Sequence, residues 1–304
     1  MRFATWEVGG RVRAGVVSDD GLHELPDDVT VLDAVRAGLP AAFELGARAL
    51  DGPAVPAAGA RVLPPLAPPS VRDFVAFEEH VEGMTGGAGV PPEWYEAPTF
   101  YFTNPHALIG AFDDIAVPPG CRQLDYELEV AVVAGPDGAA FGYSVFNDWS
   151  ARDLQRREMA VHLGPAKGKD FATTLGPWIV TADELPPDQD GFHALAMSVS
   201  VNGVETGRDL LSNMGWPFAE LLAYAARGTQ VRAGDVLGSG TCGNGGCLAE
   251  LWGLRGTQDP PPLQPGDVVE MTVEGIGTIR NRVVAGIDLP PVPPARPRTR
   301  ARPL

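Results

Sequence analysis

A mainly β fold with peripheral helices, of the α+β class, is what this 304-residue sequence predicts, and three observations predict it. Runs of strand composition flank turn pairs, as in RFATWEV and RVRAGVV around Gly9-Gly10, MSVSVNGVETG around Asn202-Gly203, and the stretch after Pro265-Gly266. Helical patterns are few. Strands do not alternate with helices as parallel βαβ units require, and no segment repeats. The expected architecture is a mixed β-roll or sandwich-like barrel.

The elements follow in order. After the N-terminal hairpin an Ala- and Leu-rich helix is expected over Val31–Leu50, and the Pro/Ala/Gly stretch Pro53–Pro69 reads as a linker. This divides the chain into a small N-terminal β domain (1–65), a main domain (66–290) and a disordered Arg-rich tail (291–304). Within the main domain, helices are expected near Ser150–Val161 and Trp216–Ala226, with Pro217 in a first turn.

Composition excludes several functions. With 39 acidic against 23 basic residues, the net charge of −16 argues against a nucleic-acid partner. No apolar run approaches the ~18 residues of a membrane span, and MRFATWEVGGRVR is not a signal peptide. Three cysteines cannot build a disulfide framework, and Cys242 and Cys247 in TCGNGGC lack a second pair of zinc ligands, so a reduced cytoplasm is the expected compartment.

The segment LDYELEVAVV, Leu124–Val133, carries the chemistry. Alternation puts Leu124, Tyr126, Leu128, Val130 and Val132 on one face of a strand. Asp125, Glu127, Glu129, Ala131 and Val133 share the other, which is acidic first and then apolar. Glu127 and Glu129 therefore project side by side, roughly 6 to 7 Å apart at Cα. Such carboxylates repel unless a cation or proton lies between them. Hard divalent ions favour this oxygen set. A solvated acidic face is the alternative.

Other polar groups accompany it. In VFNDWSARDLQ, Asp148 precedes a helix on which Arg152 and Gln155 share its side; it is either an N-cap or a third carboxylate for an ion. Lys167 and Lys169 lie in GPAKGKDFATT; the first reads as a solvated loop charge, the second as an ammonium able to meet an oxyanion. VRDFVAFEEH supplies Asp73 and His80, the latter a candidate general base. Glu250 reads as a strand-edge charge. GSGTCG (238–243) matches GxGxxG, but no helix is expected after it, so it reads as a loop beside the site and not as a dinucleotide cradle.

Together VRDFVAFEEHV, FYFTNP, LDYELEVAVV, VFNDWSARDLQ, GPAKGKDFATTLGPW and QPGDVVEMTVEGIGTIRN, in this order over about residues 70–290, resemble the fumarylacetoacetate hydrolase family. The resemblance implies a mixed β-roll with a deep metal pocket and a homodimer. It implies Glu127, Glu129, Asp148 and Asp73 as ligands of a divalent ion, magnesium first, with calcium or manganese as alternatives. It implies His80 as the water-activating base, Glu250 as its orienting partner, and Tyr101, Arg152, Gln155, Lys169 and Thr241 as substrate contacts, with Lys169 and Gln155 steadying developing negative charge. Met159 stands where fumarylacetoacetate-cleaving members carry a tyrosine, Ala172 replaces a glycine, and no second substrate arginine is identifiable in Gly83–Gly89.

The implied reaction is hydrolysis of a carbon–carbon bond in a 1,3-diketo acid, fumarylacetoacetate-like or acylpyruvate-like, through an enolate stabilised by the cation. Hydration of a 2-keto-4-enoate, decarboxylation or isomerisation at the same metal site is the nearer alternative. A catalytically silent binding homologue is the other.

Overall fold

The computed structural model describes residues 1–297; the end of the expected tail, residues 298–304, lies outside the described residues. The strands are β1 Arg2–Val8, β2 Arg11–Ser18, β3 Gly21–Glu24, β4 Arg61–Leu63, β5 Val71–Phe74, β6 Phe100–Thr103, β7 Leu108–Ile109, β8 Ile115–Ala116 and β9 Leu124–Asp125. There follow β10 Leu128–Ala134, β11 Ala140–Asn147, β12 Ser150–Ala151, β13 Thr173–Thr181, β14 Ala196–Val201, β15 Val204–Leu210, β16 Val236–Gly238, β17 Val268–Val273 and β18 Gly277–Val284. The helices are α1 Val31–Ala37, α2 Leu39–Leu50, α3 Glu78–Met84, α4 Arg152–Met159, α5 Phe218–Ala225 and α6 Leu248–Arg255.

The largest sheet runs β3-β2-β1-β13-β11-β10-β16-β5-β6, and a second runs β15-β14-β17-β18-β8. The expected α+β class with peripheral helices is the one observed. β10 shows how alternation builds it. Leu128, Val130 and Val132 enter the core shared with Val199, Met271 and Ile279 of the second sheet. Ala131 and Val133 enter another core, closed by Val31, Ala34 and Val35 of α1 and Ala42 and Ala49 of α2. Each face of the strand thus buries apolar area worth roughly 25 cal/mol per Å².

The boundary expected near residue 65 falls between β4 and β5, and the sheet crosses it, because β1 pairs with β13 (Phe3 opposite Ile179). The helix expected over Val31–Leu50 is two helices, broken at Gly38, whose φ of 84° no other residue adopts easily. Pro217 caps α5 rather than entering its first turn. The hairpins at Gly9-Gly10 and Asn202-Gly203 form as expected, all four residues having positive φ.

Two helices departed from expectation. α3 and α6 were not anticipated, because each contains a glycine, Gly83 or Gly253, and neither begins on a Ser, Thr, Asn or Asp cap. Glu250 is therefore a helix residue, not a strand-edge charge. A helix does follow GSGTCG, but it starts at Leu248, and the strand after it, β17, belongs to the second sheet, so no βαβ unit surrounds the glycines.

Candidate active site

Adjacent strand ends gather the acids. Asp148 follows β11, Glu129 lies in β10 with Glu127 just before it, and Asp73 and Tyr101 face each other across β5 and β6. Asp73 is opposite Gly238 of β16, which separates it from β10. A Cβ at position 238 would stand 2.5 Å from Asp73 Oδ1 and 2.8 Å from Glu129 Oε2, so glycine leaves the room in which these carboxylates meet. One oxygen each of Asp73, Glu127 and Glu129 lies within 4.8 Å of the others. Asp148 joins them through Lys169, whose Nζ donates to Glu127 Oε2 at 2.5 Å and to Asp148 Oδ2 at 2.8 Å. The Tyr101 hydroxyl donates to the same Asp148 oxygen.

The four carboxylates and Lys169 are all buried, which excludes the solvated acidic face. Asp148 is not an N-cap either, since Ala151 begins α4 without a side-chain cap. Burial, then the charge of Asp148, pushes the Asp73 carboxyl well above its ordinary range. Burial, then Asp73, does the same to Glu129. Burial would raise Glu127 too, but Lys169 and Arg152 outweigh it and bring this carboxyl down to about 2. For Lys169, burial opposes the charge, yet Asp148 and Glu127 hold its ammonium above the usual lysine range.

Asp73 Oδ1, Glu129 Oε1 and Asp148 Oδ1 are buried acceptors without a hydrogen-bond partner among the described residues. Unpaired buried carboxylate oxygens are costly, and a hard divalent cation is what an all-oxygen cluster of this kind accommodates. The residues present fit such an ion.

His80, on α3, faces this cluster. Its Nδ1 is 3.4 Å from Glu250 Oε2 on α6, and Glu250 Oε1 accepts from the Gly245 amide at 3.0 Å. The helices approach this closely because a Cβ at Gly83 would collide with Glu250 Cγ at 2.3 Å. Nε2 of His80 has no hydrogen bond among the described residues.

Arg152 is more constrained than a substrate contact need be. Its Nε donates to Asp125 Oδ2 at 2.8 Å, its Nη2 pairs with Glu127 Oε1 at 2.8 Å, and its Nη1 donates to Gln155 Oε1 at 3.1 Å. Sequence reasoning gave Asp125 no role beyond its place on the acidic face. This fully buried carboxylate also accepts from the Leu248 and Ala249 amides at 2.8 and 2.9 Å. It ties the start of α6, and with it Glu250, to the arginine beside Glu127. Its position in the alternation was the available signal. Lys167 pairs with Asp170 at the surface, as its loop setting suggested.

Asp73, His80, Tyr101, Glu127, Arg152, Gln155, Lys169 and Thr241 line a cavity of about 390 Å³. Glu129, Asp148 and Glu250 stand behind that wall. Phe74, Val75, Met84, Phe100, Met159 and Pro165 complete it with apolar surface, which the motifs did not indicate. A larger cavity of about 430 Å³ beside the Pro-rich segment has Val31, Leu32, Leu63, Leu66 and Leu108 in its walls and His106 as its one titratable residue. With a divalent ion among the carboxylates, the 390 Å³ cavity could take an oxygen-rich anion on that ion and an apolar group against Phe74, Phe100 and Met159.

Comparison with known proteins bears on this geometry. The family model described as fumarylacetoacetate (FAA) hydrolase C-terminal matches residues 70–284. A fumarylacetoacetase of Arabidopsis thaliana is 33% identical over 241 residues, 59% of this chain and 57% of that protein, so the chain spans little more than half of its length. An oxaloacetate tautomerase of Bacillus subtilis is 28% identical over 68% of this chain and 66% of its own. Among solved structures, a fumarylacetoacetate hydrolase from psychrophilic Exiguobacterium antarcticum superposes with a TM-score of 0.69 at 27% identity, covering 94% of this chain and 99% of that one.

Proposed function

Since this chain belongs to the fumarylacetoacetate hydrolase family, whose relatives include hydrolases and a tautomerase, we propose that it is a metal-dependent hydrolase of 1,3-diketo acids, acylpyruvate-like or fumarylacetoacetate-like. The observation that carries the reading is the His80–Glu250 pair at the same cavity as Lys169 and the carboxylate cluster. Asp73, Glu127, Glu129 and Asp148 would hold the divalent ion, magnesium in our reading, which supplies Lewis acidity at the keto and enol oxygens of the substrate.

The chain's own groups do the rest. Glu250 holds Nδ1–H of His80, which leaves Nε2 basic and able to take a proton from water. The resulting hydroxide adds to the carbonyl, and the Lys169 ammonium is near enough to the acids to steady negative charge on the substrate's oxygens. Gln155 accepts from Arg152 through Oε1, so its amide nitrogen is the end able to donate into the cavity. Return of the proton from His80 to the departing carbon completes the cleavage. Tyr101, Arg152 and Thr241 act as walls that orient the acid end of the substrate.

Incubation of the purified protein with Mg²⁺ and an acylpyruvate, following enol absorbance and identifying products, tests this. Two carboxylic products in equal amounts are expected. Loss of absorbance with a single product of unchanged carbon skeleton would replace hydrolysis by tautomerisation, the second reading, favoured by the similarity to the Bacillus tautomerase. We also propose that the protein is a homodimer, for which light scattering should give twice the chain mass.

A further inference from the structure

We propose that His80, Glu127 and Cys247 form a second cation site, selective for a thiophilic divalent ion such as zinc(II), at which the ion inhibits. One ligand atom of each lies within 4.8 Å of the other two, and all three residues are buried. Cys247 Sγ is 3.9 Å from His80 Nδ1. The sulfur is not free to swing away: as N-cap of α6 it accepts from the Glu250 amide at 3.4 Å. Imidazole nitrogen, thiolate sulfur and a carboxylate oxygen form a zinc-type set, whereas the neighbouring all-oxygen cluster is a magnesium-type set.

Access and charge agree. His80 and Glu127 line the cavity, so an ion can enter from it and meet the sulfur beneath. Asp125 at the Leu248 and Ala249 amides and Glu250 at His80 add to the charge of Glu127, against Arg152 and Lys169, so the immediate surroundings are net acidic. Coordination replaces the S–H proton, which leaves to water, and the Nδ1 proton of His80 passes to Nε2, so the ring stays neutral. Of the two cysteines in TCGNGGC only Cys247 takes part, and the fold brings residues 80 and 127 to it. Zinc at Nδ1 takes the place of the proton shared with Glu250, leaves Nε2 protonated and no longer a base, and competes for Glu127. The inhibition rests on the hydrolase reading above, whereas the binding does not.

Cobalt(II) added to metal-free protein should give a near-ultraviolet thiolate-to-cobalt charge-transfer band that Cys247→Ser and His80→Asn each lose. X-ray absorption of the zinc-loaded wild-type protein should show a sulfur scatterer at about 2.3 Å, which needs no variant. Zinc should inhibit the magnesium-loaded enzyme at concentrations at least about 10- to 100-fold lower than it does Cys247→Ser, the loss that removing even an outer partner of a ligand brings. Cobalt bound with oxygen-only bands, no sulfur at zinc, or equal zinc sensitivity of the variant would overturn the site. If no turnover is found while the charge-transfer band appears and depends on Cys247, the second site stands and the hydrolase reading falls.

Discussion

The two halves of the candidate active site are built differently. The acidic half stands on strands: Asp73, Glu129 and the flanking Glu127 and Asp148 are positioned by register in one sheet, and Lys169 locks Glu127 and Asp148 through ion pairs of 2.5 and 2.8 Å. The basic half stands on two short helices, α3 and α6, and is joined by one hydrogen bond of 3.4 Å. Charge explains the contrast. The four carboxylates of the acidic half need rigid compensation or they are destabilising, while Glu250, the one acid of the other half, is met by the Gly245 amide and the His80 ring. Changes in the first half should therefore cost both fold and ion, and changes in the second should cost turnover alone.

His80→Asn sharpens that contrast most. Turnover is expected to fall by ~10²- to 10⁴-fold, the usual worth of a general base, with Mg²⁺ affinity by calorimetry unchanged. Lys169→Ala should lower turnover by ~10²- to 10³-fold and, unlike His80→Asn, destabilise the protein by ~3–5 kcal/mol in urea titration, because it strands Glu127 and Asp148 without their buried cation. Equal stability of the two variants would break the comparison.

Gly238→Ala acts without removing any polar group. Its methyl would push the tips of Asp73 and Glu129 aside, and we expect Mg²⁺ affinity to fall by ~10- to 100-fold with the fold retained by circular dichroism. Glu250→Gln should cost ~10-fold in turnover, one charge-assisted hydrogen bond's worth, with kcat rather than KM taking the loss.

The smallest effect is on stability against pH. Burial raises the Asp73 and Glu129 carboxyls, so metal-free folded protein retains protons that the unfolded chain has released above pH ~4. The unfolded state then binds fewer protons than the native state, and stability falls as pH rises. A bound ion substitutes for those protons, so the rise in Tm that Mg²⁺ gives over EDTA should be wider at pH 8 than at pH 6. A gap that narrows would mean that the ion does not sit among these acids.

The same division governs what could be read in advance. Glu127, Glu129 and Asp148 lie on or beside long alternating strands, where spacing alone fixes the face and the hairpin partner, and β10 and β11 pair as that spacing suggests. Tyr101 was legible only through a motif resemblance, and its hydrogen bond to Asp148 was not. Asp125 was on the page as an acid of the right face, but its partners at residues 152, 248 and 249 are distant in sequence. α3 and α6 carried neither a polar cap nor a glycine-free pattern to mark them.

By itself, then, the sequence determined the strand-rich class, the turns and the acids that share a face, because these depend on neighbours one to four positions apart. Tertiary structure alone decided that Glu250 meets His80, that Lys169 stands between two carboxylates, and that Cys247 lies beside both His80 and Glu127. Those contacts join segments up to 170 residues apart. Sheet register and helix packing set their distances, and no local pattern encodes either.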